Sequence, residues 1–490
     1  MSSSLSTLTL LEPYVPTPAR PWDARRAQHF FQRIAFGANL DTLQQALAMS
    51  PGELVDQFID NLVALPPPEP PAFANWTWDD YGSDTDLYFE HKRELTARWM
   101  REIVSGDPRA KLAMFWHSHF ATEEDVYDCP SFKWVYYDLL FKHSTGNFRA
   151  FVEAMGVNAA MLVYLNGNIN VAGQPNENYA RELMELFTMG ESNGYTQTDI
   201  VEVARALTGW RVNMYACNNN VTFDPGRHDN GPKTIFGQTG NWHYDDVHEL
   251  IFTLRREQVA RYICSKLYRF FVYQIPDWTV IDEMATTFKD NNWELAPVLR
   301  QLFKSAHFFD DRVINVRVKS PVECLVGPLR LLGMTYGDNV TDDWINNINY
   351  FAFQLGEDLY NPPDVAGWPG YHTWINENTL TTRWNYSSSV LYGSVVNSLL
   401  NRAKIRNWTI ALMEGDIQAG AESVTAAIVR YFLKRDLSPR LQDVALQYFK
   451  GEVPGNYFED GTWDLNYEDV PYQVTGLLYY LTRLPEWQLC

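Results

Sequence analysis

The chain has 490 residues, 46% hydrophobic and 20% charged, a globular balance at a length that suits two or three average domains. A formal charge of −20, with 60 acidic residues against 40 basic and no compact Lys/Arg run, excludes nucleic acid and anionic membrane surfaces as expected partners. No segment carries the roughly 18 uninterrupted apolar residues of a membrane span.

Residues 1–21 hold four prolines and little periodicity and read as an extended arm. They show no charged n-region followed by an apolar stretch, so cytoplasm is the default compartment, with export by another route left open. Helical spacing begins at Trp22. The run ARRAQHFFQRIAFG stops at Gly37, a second helix follows at 41–48, and a third opens at Pro51. The stretch ALPPPEPPAF near 64–73 cannot be helical, because proline lacks the N–H and clashes with the preceding turn. Residues 85–120 and 131–143 are strongly helical. In YTQTDIVEVARALTGW, Thr196 caps, Asp199 completes a capping box and Gly209 supplies a left-handed stop. Residues 211–245 are rich in Asn, Gly and Asp, with short β-like pieces, and read as a loop or small hairpin insertion. Helices resume near 256–272, 280–288, 293–305, 319–333 and 343–356, a turn-rich segment spans 359–376, and three or four more helices follow. The expected architecture is all-α: one large multi-helix body over 22–400 with a small β-containing insertion near 211–245, and a helical segment over 401–490 packed on it. The cysteines are five, far apart and without a C-x-x-C pair, which excludes a zinc ribbon and argues against a disulfide framework.

Four constellations could carry chemistry. In Phe115-Trp116-His117-Ser118-His119 an H-x-H pair has metal-binding spacing on an extended backbone. On a helix, positions i and i+2 lie about 200° apart, so joint chelation requires the helix to unwind there. In the run from Asn176 to Phe187, Glu177, Arg181 and Glu185 recur at i, i+4, i+8, while Glu182 and Glu185 at i, i+3 could meet one cation. The plainer alternative is a solvated ion ladder. His228 and Asp229, followed by Lys233, sit in a Gly/Pro-rich loop and suit either a base with its orienting carboxylate or an Asx-type turn. The run from Asn361 to Gly370 presents Trp368 on rigid turns. G-x-S-x-G, Walker-type and H-E-x-x-H motifs are absent.

These strings, together with RIAFG (33–37), GNFRAF (146–151), HDNGPKTIFGQTGNW (228–242) and VKSPVE (318–323), resemble the bacterial domain-of-unknown-function 1800 family from Trp22 onward. The resemblance implies a largely helical protein with no settled activity. It also implies a sulfatase-like partner, through frequent gene neighbourhood, and export in many members.

The preferred expectation is an enzyme, a metal-dependent hydrolase or oxidoreductase, with one cleft. His117, His119 and Glu185 would hold a divalent metal, and Glu182, His228 and Asp229 would move protons. Trp116, Trp210 and Trp368 would wall the substrate, with Asn176, Glu177, Arg181 and Lys233 contacting it. Two alternatives are a non-enzymatic assembly partner with a buried polar network, and a saccharide-processing cleft with two carboxylates about 5–10 Å apart.

Overall fold

In a computed structural model of the chain, which describes residues 11–391, 398–451 and 453–490, the helices begin and end on the residues that cap them. Asp23 accepts from the Arg26 N–H and opens helix Ala24–Ala35, which stops at Phe36 in the left-handed region (φ 62°). Ser50 and Glu53 form the reciprocal capping box of helix Pro51–Ala64. Thr196 and Asp199 do the same for helix Gln197–Ala206, and Gly209 follows with φ 107°. The protein is mainly α, and its insertion holds two antiparallel hairpins, Trp210–Asn213 with Asn218–Phe223 and Lys233–Ile235 with Gln238–Gly240.

The expected arm is described only from residue 11. There Leu11 and Tyr14 are buried, and the Tyr14 N–H donates to the Lys304 carbonyl at 2.7 Å. The remainder of the arm, residues 1–10, lies outside the described residues. The helical stretch 85–120 is two helices, Thr85–Ser105 and Arg109–His119, separated where Gly106 (φ 88°) supplies the stop and Pro108 cannot continue the turn. Among the described residues the C-terminal segment holds five α-helices from Leu399 to Leu481. It is tied to the body by the Tyr431 hydroxyl on the Leu331 carbonyl (2.9 Å) and by fully buried Trp487. Among the described residues no helix is long and apolar enough to cross a membrane.

One expectation fails outright. Cys129 and Cys217, 88 positions apart, form a disulfide with Cα atoms 5.5 Å apart. It ties the first hairpin of the insertion to the start of helix Pro130–Lys142. Separation along the chain says nothing of separation in space, so wide spacing was no argument against pairing.

Candidate functional site

The end of helix Arg109–His119 sends its two histidines to different partners. His117 is fully buried. Its Nδ1 lies 2.7 Å from the Tyr136 hydroxyl, which itself donates to the Phe120 carbonyl, so Nδ1 carries the proton. Its Nε2 accepts the Tyr360 N–H at 2.9 Å, and burial lowers the imidazole to about 3. With both nitrogens spent, His117 is a neutral strut holding the 357–361 stretch to the helix. His119 donates Nε2–H to the Phe187 carbonyl at 3.1 Å, and its Nδ1 has no partner. Burial and the charge of Lys266 keep it neutral. The helix persists to His119, so the i, i+2 geometry keeps the two rings apart.

Phe187 accepts that bond because the helix expected from Asn176 to Phe187 changes type. An α-helical turn, Asn178–Glu182, passes into a π-helical segment, Leu183–Thr188, whose Leu186 and Phe187 carbonyls are taken by the Tyr262 hydroxyl and by His119. Arg181 bridges Glu177 (2.9 Å) and Glu185 (3.4 Å), the part-exposed ion ladder that spacing allowed. Half-buried Glu182 is raised to about 7 by desolvation and then by the Glu185 charge. Asn176 accepts from the Asn178 N–H as a local turn.

The insertion forms a third, separate group. Arg205 grips Asp229 through two bonds, of 2.8 and 3.2 Å, and this holds the carboxyl below its usual range. His228 instead meets the Thr208 carbonyl at 2.9 Å and stacks on His243, so Asp229 does not orient it. Lys233 donates to the Gly231 carbonyl, and Trp210 packs between Phe223 and Tyr244. Trp116 is fully buried, with its indole N–H on the Ser144 carbonyl. The residues expected to share one cleft are thus divided among three places. Among the described residues no three His, Cys, Asp or Glu side chains form a group able to hold a metal.

His119 and Trp368 of the expected set line one cavity together. It has a volume of about 320 Å³ and lies between four elements. Phe115, Ser118 and His119 come from helix Arg109–His119, and Lys266, Arg269 and Phe270 from helix Arg256–Phe271. Ser320 and Glu323 come from the start of helix Pro321–Leu331, and Trp368, Tyr371 and Trp374 from the turn-rich segment. Gly367 lets that segment come close. A Cβ there would stand 2.1 Å from the Ser118 carbonyl oxygen, and its φ of +80° already favours glycine.

The cavity floor is a buried charge network. Glu323 is paired with both Lys111 and Arg317 and accepts the Ser320 N–H at 2.7 Å. The two cations overcome its desolvation and hold it at about 2. Glu357 accepts the Val322 N–H at 2.8 Å and is raised to about 7, first by burial and further by the Glu323 charge. Two carboxyls on one wall are driven apart, one ionised and one near half-protonation at neutral pH. On helix Arg256–Phe271, part-buried Lys266 and exposed Arg269 line the same cavity without a carboxylate partner among the described residues. Burial, then Arg269, lowers Lys266 to about 8.

Sequence reasoning missed Lys266, Arg269, Glu357, Lys111 and Arg317. A signal was present for the first pair. Lys266 has Tyr262 and Phe270 at i−4 and i+4, and Arg269 has Ser265 and Tyr273, so neither cation has an acidic helical neighbour at the usual pairing distance.

Fold and site together define a mainly α protein of net charge −20 with an aromatic-walled cavity whose lining carries more cations than carboxylates. A family model described as a protein of unknown function, DUF1800, matches residues 29–489, and the chain belongs to that family. No curated protein and no solved structure matches the chain.

Proposed function

We propose that the protein binds a small organic anion in this cavity and carries out acid–base chemistry on it. One observation carries the reading. In a chain of net charge −20, two cations without carboxylate partners among the described residues, Lys266 and Arg269, line a cavity that Phe115, Phe270, Trp368 and Trp374 also wall, above the Glu323–Lys111–Arg317 network and Glu357. A part-desolvated cation with no counter-ion, as Lys266 is, is costly, and a bound anion relieves that cost, while exposed Arg269 stands within reach of the same anion. The guanidinium suits a carboxylate or phosphate through two parallel bonds, and the aromatic faces suit the uncharged remainder of the ligand. Glu357 is the proton-transfer group, because its environment poises it near neutrality.

A saccharide cleft with flanking carboxylates is less well supported. Glu323 and Glu357 both anchor at the first turn of helix Pro321–Leu331, side by side, and Glu323 is already spent on Lys111 and Arg317.

The test is a thermal-shift panel of sulfate, phosphate, benzoate, pyruvate and neutral glucose on wild type and on Arg269→Gln. Stabilisation by one or more anions, reduced in the variant and absent with glucose, supports the reading. Equal shifts in both proteins, or none, would remove it.

A further inference from the structure

Lys266 differs from the other cations of the cavity. Lys111 and Arg317 are locked onto Glu323, and Arg269 is a guanidinium, which is not a nucleophile at any accessible pH. Lys266 alone offers a primary amine to the cavity with no carboxylate holding it. Its surroundings are the Tyr262 ring, 5.5 Å from Nζ, and the Phe115 and Phe270 side chains of the same cavity. The charged groups that share its cavity are Arg269, Lys111, Arg317, Glu323 and Glu357, with neutral His119. A neighbouring cavity that Lys266 also lines adds Glu191 and Arg261, neither of them ion-paired to it.

We propose that Lys266 is a Schiff-base lysine for a 2-keto acid, with Arg269 one helical turn away gripping the carboxylate while the amine attacks the adjacent carbonyl carbon. This rests on the anion-binding reading above and specifies its substrate class. Side chains at i and i+3 share a helix face with Cβ atoms about 5–6 Å apart, close enough for two long side chains to converge on adjoining carboxylate and keto groups. The Nζ lone pair forms a bond to C2, and the proton that the nitrogen then sheds goes to the former carbonyl oxygen, giving the carbinolamine. The carbinolamine then loses its hydroxyl with a second proton, leaving an iminium and one water, with no change in oxidation state. Glu357, on the same cavity, supplies the proton for the departing hydroxyl. Two features make the amine competent near neutral pH. Desolvation and an adjacent cation hold it at about 8, the two influences known to activate such lysines. The aromatic walls accept the side chain of the keto acid and exclude water from the imine.

The experiment incubates the intact protein with pyruvate or phenylpyruvate and sodium cyanoborohydride, then reads intact mass and a peptide map. The expected result is a single reduced adduct on Lys266 in wild type and none at that position in Lys266→Arg, which keeps the charge. Arg269→Gln should lower the trapping rate with pyruvate about 10-fold or more, and by more than it slows benzaldehyde, which has no carboxylate for Arg269 to grip. Adduct absent, or spread over surface lysines at the same rate as at Lys266, would overturn the proposal. Calorimetric titration with sulfate separates the two levels. Sulfate binding without an adduct removes the Schiff base and leaves the anion site, whereas neither sulfate binding nor adduct removes both.

Discussion

Lys266 and Arg269 stand one turn apart on the same face of helix Arg256–Phe271, both on the cavity wall and both without a carboxylate partner among the described residues. The pairing has a direct energetic consequence. Loss of a charge-assisted bond to a bound anion costs about 1.5–3 kcal/mol, or about 10–100-fold in affinity. Arg269→Gln and Lys266→Gln should each weaken benzoate binding by that order, measured by calorimetry at pH 7, with thermal stability kept or slightly raised.

His117 should prove structural. Replacing it by Ala strands the Tyr360 N–H in a buried site and opens a cavity, a loss of about 2–5 kcal/mol. Denaturant unfolding of His117→Ala checks this. Metal analysis of gently purified wild type and a His117→Ala/His119→Ala variant should show no difference in stoichiometric metal. One equivalent lost in the variant would restore a histidine metal site.

The two floor carboxyls give opposite pH signatures. Glu323 is depressed to about 2 from its usual 4.5, so its contribution to stability is present above pH 4.5 and is lost as pH falls through about 2. Glu357 is raised to about 7, so the folded state binds the extra proton. Its effect is most favourable below pH 4.5 and declines as pH rises to about 7. Urea unfolding at a series of pH values should therefore show Glu357→Gln gaining stability over wild type between pH 5 and 7. Glu323→Gln, which strands two buried cations, should lose about 3–5 kcal/mol at pH 7.

The Cys129–Cys217 disulfide closes a long loop, and such bridges contribute about 2–4 kcal/mol. Cys129→Ser should lower the melting temperature, and a reductant should lower that of wild type to the same degree. Disulfides persist in oxidising compartments. Thiol alkylation of protein from its native source should accordingly find Cys129 and Cys217 protected, and Cys264 modified only after unfolding, because it is buried.

Much of the helical frame was legible because its signals are local. The capping boxes at Ser50 and Thr196, the left-handed stop near Gly37 and the prolines of 66–71 each act within a few residues. The insertion was visible by composition for the same reason. What was not legible depends on contacts far apart in the chain. His117 meets Tyr360 across 243 positions, Lys111 meets Glu323 across 212, and Cys129 meets Cys217 across 88. The π-helical segment at Leu183–Thr188 is another case, since its free carbonyls are satisfied by Tyr262 and His119 from other helices. Motif density pointed to His117, Glu182 and His228, whereas burial and the lack of counter-ions pointed to Lys266, Arg269 and Glu357. Of the residues singled out by motif, His119 and Trp368 line the same cavity as Lys266, Arg269 and Glu357.

The most direct measurement is calorimetric titration of benzoate at pH 8, run in two buffers of different ionisation enthalpy, on wild type and on a Lys266→Gln/Arg269→Gln variant. Lys266 is about half-protonated there, and an anion favours its charged form. Wild type should show one site per chain, uptake of a fraction of a proton on binding and affinity that falls as pH rises past 8, and the double variant no measurable binding. Binding that is unchanged in the double variant, or absent from wild type, would contradict an anion site at Lys266 and Arg269.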